Sequence, residues 1–201
     1  MKNLNRKATL CFVFLLIILS GCSNTPGETR RGTASAKGVE LASDEQKSYQ
    51  DALEAIKVNE AERAIQPLIK ISNSHPEHLG SLINLANAYL KTMKINEAEN
   101  AAARAKNINA EVAEIYNLQG LIAVHKGEYV NAEKNYQQAL QLKENYPAAH
   151  YNLALLYDTY YQDIDRAIIQ YDRYLELSGG SDKKTQGWSE ELKQKVKRRN
   201  K

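Results

Sequence analysis

The chain has 201 residues, with 43% apolar and 25% charged side chains, 12 Tyr, two Phe, two Cys and four Pro. This composition suits one compact domain or a short repeat array and favours helices, which excludes a large multidomain enzyme, a disulfide scaffold and a membrane channel. Residues 45–181 carry 13 bases against 18 acids, and such an acidic body excludes a nucleic-acid binder, which needs a concentrated basic face.

The first 21 residues are organised as an export signal. Three bases within residues 2–7 precede an apolar run over residues 8–19. This run is shorter than the roughly 20 residues that a membrane-spanning helix needs, and its length is typical of a secretory signal. It ends in Leu-Ser-Gly at 19–21 followed by Cys22, which resembles the lipobox of bacterial lipoproteins.

The lipobox resemblance implies a lipid anchor. It implies cleavage before Cys22, a diacylglycerol on the sulfur of Cys22 and an acylated amino terminus. Three acyl chains, at about 0.8 kcal/mol per buried methylene, would hold the chain permanently on a bilayer. Because Cys11 is then lost with the signal, no thiol is left for catalysis, a disulfide or a metal site. Ser23 after the lipidated Cys implies sorting to the outer membrane, facing the periplasm.

Residues 22–44 join this anchor to the body of the protein. From Ser23 to Asp44 the sequence is rich in Gly, Ser, Thr and Ala and has no apolar periodicity, which predicts a flexible tether. A random coil of about 22 residues spans roughly 25 Å, so the body would stay close to the bilayer.

A 34-residue period of small residues runs through the body. Its two clearest series are Ala52, Ala86 and Gly120, and Ala64, Ala98 and Ala132. The pattern resembles the tetratricopeptide repeat (TPR), and residues 116–140 are the clearest copy. The resemblance divides the body into four units, at residues 45–78, 79–112, 113–146 and 147–181.

Each unit is expected to be a pair of helices. Small residues at the repeated positions let two antiparallel helices approach closely and let the first helix of the next unit pack against them. No single pair buries its apolar face alone, so the units must stack. We expect an all-α fold, and the resemblance implies a right-handed superhelical solenoid of four helix-turn-helix units with a concave side.

Several places depart from the repeat pattern, among them Asp51 and Gln119 at positions where Leu is usual. Pro67 falls inside the second helix of the first unit and removes a hydrogen bond, so we expect a kink or a late helix start there. The fourth unit has one extra residue within residues 158–165, which we expect to lengthen the turn between its helices.

Residues 182–201 are expected to form a basic capping helix. Two glycines at 179–180 stop the preceding helix, and Ser189 can cap the new one. Eight bases against three acids in this segment are also compatible with contact to anionic lipid or to an acidic partner. The apolar stripe that would pack on the fourth unit comprises Trp188, Leu192 and Val196.

Few residues suggest chemistry. Two histidines and a carboxylate lie close together at 75–78, but Pro76 places them in a turn between units, where we expect exposed histidines rather than a metal site. Asp163 and Asp165 lack the Gly and Glu of a calcium loop, and His125 is expected to make a contact. We expect no catalytic residue, no metal, no cofactor and no small-molecule substrate.

The concave side is the expected binding surface, because ligands of TPR proteins usually meet the first helix of each unit. Apolar side chains there offer contact area, and each Asn amide can bond to an extended peptide backbone. About half of these positions are expected to support neighbouring helices instead. The resemblance implies a peptide-binding groove of Tyr49, Leu53, Ile83, Asn84, Asn87, Asn117, Leu121, His125, Tyr151, Asn152 and Leu155.

These features together predict a membrane-anchored, non-catalytic scaffold for protein–protein interaction in a bacterial envelope complex. Its partners would be proteins in the groove and the membrane at the lipid anchor. Two alternatives stay open. One is a pilotin-like assembly factor for type IV pilus or secretin biogenesis, and the other is an accessory of a TonB-type or cell-wall machine.

Overall fold

The computed structural model describes residues 39–199. The predicted export signal, the lipidation residue Cys22 and most of the tether lie outside the described residues. Between residues 39 and 199 the chain forms nine α-helices, one π-helical turn and no strand, so the expected all-α fold is confirmed. None of these helices has the length and hydrophobicity that a membrane crossing requires.

The first compact unit, called the N-unit here, contains residues 39–108 of the described chain. Consecutive helices of the N-unit pack on one another, and α1 also touches α3, so that repeats one and two stack as helical hairpins. The four helices are α1 (Ser43–Lys57), α2 (Ala61–Ser74), α3 (Leu79–Lys91) and α4 (Ile95–Ile108).

The second compact unit, the C-unit, contains residues 109–199 of the described chain. Consecutive helices pack here as well, and the last one covers α8 as the expected capping helix. The elements are α5 (Ala113–His125), α6 (Tyr129–Leu142), α7 (Pro147–Leu156), the π-helical turn Tyr157–Tyr161, α8 (Ile164–Leu177) and α9 (Lys183–Arg199).

A left-handed backbone residue recurs at the turn inside each repeat. The φ angles are 65° at Asn59, 60° at Met93, 75° at Gly127 and 55° at Gln162. The spacing follows the sequence period, although only one of the four is a glycine. Since this conformation costs an L-residue about 1–2 kcal/mol, the other three turns are held by the packing of the helices around them.

The extra residue of repeat four widens a helical turn. Helix α7 passes at Leu156 into the π-helical turn, and the N–H of Asp163 donates to the carbonyl of Tyr157 at 2.9 Å. The longer turn that the sequence predicts is therefore observed. It is built as a continuation of the first helix and not as an open loop.

Pro67 lies inside α2 without delaying its start. The helix begins at Ala61 and runs through Pro67 to Ser74, so the expected late start is wrong. Proline removes only its own N–H donor, and its neighbours Ile65 and Leu68 are buried. Their burial offsets the missing hydrogen bond.

The capping helix α9 begins earlier than the sequence suggested. Asp182 Oδ1 accepts a hydrogen bond from the N–H of Thr185 at 3.0 Å and therefore caps the helix. Ser189 lies inside α9, is buried, and donates its hydroxyl to Asp172 Oδ1 at 2.7 Å. The prediction that Ser189 caps the helix is wrong, because an equally good cap residue precedes it.

Candidate functional site

The predicted groove residues lie on the first helices of the repeats and differ in exposure. Those that are half-buried can meet a partner directly, whereas those that are buried support the packing of the helices. That the eleven residues bind a peptide stays a prediction. The half-buried group is Tyr49, Leu53, Ile83, Asn84 and His125. The buried group is Asn87, Asn117, Leu121, Tyr151, Asn152 and Leu155.

Four of the five half-buried residues lie in the N-unit, and we call them the N-unit contact surface: Tyr49, Leu53, Ile83 and Asn84. Asn84 Nδ2 donates to the Tyr49 hydroxyl at 2.9 Å and to the Gly80 carbonyl at 2.8 Å. Both amide hydrogens are thereby used, which fixes the side chain and leaves Oδ1 without a donor among residues 39–199. The surface thus combines exposed apolar area with one oriented hydrogen-bond acceptor.

Gly80 and His78 position the tyrosine of this surface. A Cβ atom added to Gly80 would lie only 2.6 Å from the Tyr49 hydroxyl oxygen, so the absence of a side chain lets Tyr49 reach α3. The ring of His78 meets the ring of Tyr49 edge-on, with centroids 5.1 Å apart. Tyr49 is held on two sides, and its position is set before any partner arrives.

His75 and His78 both make hydrogen bonds within the N-unit. His75 Nε2 lies 2.8 Å from Glu45 Oε2, and this hydrogen bond lowers the pKa of Glu45. His78 caps α3, because its Nδ1 accepts the N–H of Ser81 at 3.1 Å; burial, followed by the charge of His75, lowers its pKa. Both rings are half-buried rather than exposed as expected. Over residues 39–199 no cluster of His, Cys, Asp and Glu has metal-binding geometry.

The C-unit contains a second polar pair, and it is buried. Asn152 Nδ2 donates to Asn117 Oδ1 at 2.8 Å, and both side chains are at most 3% exposed. Asn117 Nδ2 has no partner within the described chain, and neither has Asn87 Oδ1 in the N-unit. Buried amide groups that lack partners are uncommon in native structures. They mark places where an added ligand group or a water molecule would be favourable.

Aromatic packing encloses Tyr151, another predicted groove residue of the C-unit. Tyr151 lies with its ring centroid 6.4 Å from that of Tyr171 and 5.1 Å from that of Tyr174. Burial raises the pKa of Tyr151, so its hydroxyl stays protonated. His125 is half-buried, and burial lowers its pKa. That His125 contacts a partner stays a prediction.

Sequence reasoning missed the residues that hold the surface in place, above all Gly80 and His78. It also missed Lys91, a half-buried cation at the end of α3 whose pKa is lowered by burial. One signal was available in the sequence. Polar residues that are 35 positions apart on consecutive first helices pair in both units, as Tyr49 with Asn84 and Asn117 with Asn152.

The repeat is identified by comparison with known proteins. Residues 120–159 match the profile of the family described as TPR repeat. The uncharacterized protein ycf37 of Pyropia yezoensis is 37% identical over 70 residues, which are 35% of this chain and 39% of that relative. The match therefore spans about two fifths of the relative's length.

Solved structures share the fold. TTC0263, a thermophilic TPR protein of Thermus thermophilus, matches with a TM-score of 0.66 and 23% identity, over 75% of this chain and 81% of its own. YrrB, described as a TPR protein with an unusual peptide-binding site, matches with a TM-score of 0.50 and 21% identity, over 67% and 69%. Together with the profile match, these likenesses confirm that this chain has a TPR fold, which suggests a scaffold for protein–protein interaction.

Proposed function

We propose that this chain is a lipid-anchored, non-catalytic TPR scaffold that holds a partner protein on its N-unit contact surface. The observation that carries the proposal is the combination of Leu53 and Ile83, both half-buried, with an Asn84 amide that is fixed by Tyr49. Apolar area beside one oriented acceptor is what a bound peptide segment requires. The description of YrrB as a TPR protein with an unusual peptide-binding site also supports a peptide-binding role.

Membrane anchoring is the second part of the proposal, and the lipobox at 19–22 supports it. The anchored chain would sit in the bacterial envelope, on the outer membrane and facing the periplasm, as Ser23 suggests. The intact mass of chain extracted from membranes tests this part. We expect the mass of residues 22–201 plus a diacylglyceryl group and an acyl chain. A mass without lipid would contradict the anchor.

Affinity capture with the full chain tests the contact surface. Leu53→Ala combined with Ile83→Ala removes apolar area from the surface, and we expect recovery of the partner to fall about tenfold, in proportion to lost contacts worth about 1.4 kcal/mol. Ile69→Ala with Leu140→Ala is the matched control, since both residues are half-buried but lie on second helices. Equal recovery with both double variants would contradict the surface.

Deletion of the gene separates this proposal from the pilotin-like alternative. A scaffold that holds a complex together leaves its partners in their membrane when it is lost, while the activity of the complex falls. A pilotin-like factor instead leaves one pore protein mislocalised. Membrane fractionation after the deletion distinguishes these two outcomes.

A further inference from the structure

The last two turns of α9 carry a concentrated cationic cluster that the scaffold function does not use. Five bases occupy residues 193–199 without an acid among them, whereas residues 45–181 carry more acids than bases. Three of the five make ion pairs. The pairs are Lys193 with Asp172 at 2.7 Å, Lys195 with Glu191 at 3.0 Å and Arg199 with Asp165 at 3.0 Å. These pairs are partly exposed, so they neutralise the cluster only locally.

Two cations of the cluster have no carboxylate partner within residues 39–199. Lys197 and Arg198 are exposed, and the Arg198 Nε donates to the backbone carbonyl of Gln194 at 3.3 Å. At the other end of α9, Lys183 and Lys184 are also exposed and also lack an acidic partner. Four cations of α9 therefore lack a carboxylate partner in the described part of the chain, while Glu190 of the same helix is exposed and bonds to Gln186.

The packing of α9 directs these cations outward. Thr185, Ser189 and Leu192 lie about one turn apart and are buried, which fixes the face of α9 that meets α8. Lys183, Lys197 and Arg198 lie on the opposite side of the helix, because their positions are rotated by more than about 100° from the buried stripe. Lys197 and Arg198 are therefore exposed and lie outside the pocket that Lys183, Lys193 and Glu190 line together with α8.

We propose that this α9 face binds the anionic headgroups of phospholipids. The inference rests on the proposed lipid anchor, which would hold the whole chain at the bilayer and so raise the effective concentration of α9 there. Each Lys or Arg near an anionic surface adds to the attraction, so a cluster of several binds more strongly than one alone. Lys197 and Arg198 do not line the pocket beside α8, and exposed cations without fixed carboxylate partners suit the diffuse charge of a lipid surface better than an acidic peptide, which needs fixed partners.

The chain carries its own reporter for this contact. Trp188 is its single tryptophan and lies in α9, with the Lys184 Nζ 5.1 Å from the ring centroid. Energy transfer from Trp188 to a dansyl group on lipid headgroups therefore measures how close α9 is to the membrane. The full chain is incorporated into vesicles of neutral phosphatidylcholine, or of the same lipid with phosphatidylglycerol, each with the dansyl lipid.

We expect transfer to rise at least twofold on the anionic vesicles and to fall with salt, because the Debye length shrinks from about 10 Å at 0.1 M to about 3 Å at 1 M. Lys197→Glu with Arg198→Glu should abolish the rise. The control variant, Lys70→Glu with Lys134→Glu, changes the net charge by the same amount at exposed positions outside α9. It should retain the increase in transfer on anionic vesicles. Circular dichroism confirms that the variants stay helical.

Two results would overturn the inference. One is equal energy transfer on both kinds of vesicle, which would favour an acidic protein segment as the ligand of the cluster. The other is an increase in transfer on anionic vesicles that the α9 variant retains. Flotation with neutral vesicles at high salt tests the lipid anchor independently of the α9 contact. Chain that fails to float there contradicts the proposed anchor, while transfer that depends on phosphatidylglycerol still supports the α9 contact.

Discussion

The second repeat, in the N-unit, and the third repeat, in the C-unit, are both pairs of helices, but different side chains fill the space between the helices. In the N-unit, Ala86 of α3 and Ala102 of α4 are both fully buried. The positions 34 residues later in the C-unit hold Gly120 and Tyr136, and a Cβ added to Gly120 would lie 2.4 Å from the Tyr136 ring. The small residue at this repeat position is therefore required for a different reason in each unit. In the N-unit it packs a helix made of small residues, and in the C-unit it makes room for an aromatic ring.

Enlarging the glycine is the strongest way to break this comparison. Gly120→Ala should lower the free energy of unfolding by about 2 kcal/mol, because the tyrosine ring fills the space that the methyl group needs. Urea unfolding followed by circular dichroism measures the loss.

The matched control is Gly187→Ala in α9, where no atom lies within 4 Å of the added Cβ. Removing a glycine from a helix interior should stabilise there by about 0.5–1 kcal/mol. Tyr136→Phe should cost nothing, since the Tyr136 hydroxyl is buried without a partner in the described chain. A Gly120→Ala variant as stable as the unmodified chain would contradict the packing.

The polar pairs give the second test. Asn152→Ala leaves the buried Asn117 Oδ1 without its donor and should cost about 1.5 kcal/mol. Asn84→Ala in the N-unit removes an equivalent bond from a half-buried site, where water can replace it, and should cost about 0.5 kcal/mol. Chemical denaturation of the two variants compares them. Equal losses of unfolding free energy in the two variants would show that burial does not make one pair more stabilising than the other.

How far the sequence predicted this molecule depends on the kind of interaction. The 34-residue spacing of small residues such as Ala52, Ala86 and Gly120 predicted helical hairpins, because helix contact demands small side chains at fixed positions. The start of α9 was missed and the late start expected for α2 was wrong, since each depends on tertiary contacts that outweigh local preference. Tyr49 and Asn84 were both predicted as groove residues, but the hydrogen bond between them depends on the register of two helices, which the sequence does not give.

The left-handed turns offer a third and smaller test. Met93→Gly should stabilise the N-unit by about 0.5–1 kcal/mol, because glycine adopts a positive φ without a steric penalty. Met93 is 61% exposed, so little packing is lost with its side chain. Gly127→Ala at the equivalent turn of the C-unit should destabilise by a similar amount. The melting temperatures of the two variants should move in opposite directions, and a shift of the same sign would contradict the strain.

Acid should weaken both units slightly. Burial lowers the pKa of His78 in the N-unit and of His125 in the C-unit below the ordinary value of 6.5. The unfolded chain then binds protons more readily, so the stability that these rings contribute is present above pH 6.5 and is lost as the pH falls through the lower folded values. Protonation of His78 Nδ1 would also break the cap that it gives to Ser81.

Thermal melts at pH 7 and pH 5 measure this effect. His78→Asn keeps a capping side chain and should reduce the acid-induced fall in melting temperature by about 1–2 °C. His125→Asn should act similarly in the C-unit. A fall that is unchanged in both variants would show that other groups carry the pH dependence.

Site-specific photo-crosslinking in cells tests the central proposal, that a partner protein rests on the N-unit contact surface. A photoreactive residue replaces Leu53 or Ile83 on the first helices, and as a control it replaces Gln66 or Asn100, which are exposed on second helices. We predict one discrete crosslinked protein at the two surface positions and none at the control positions. The same product at all four positions, or none at Leu53 and Ile83, would contradict the account.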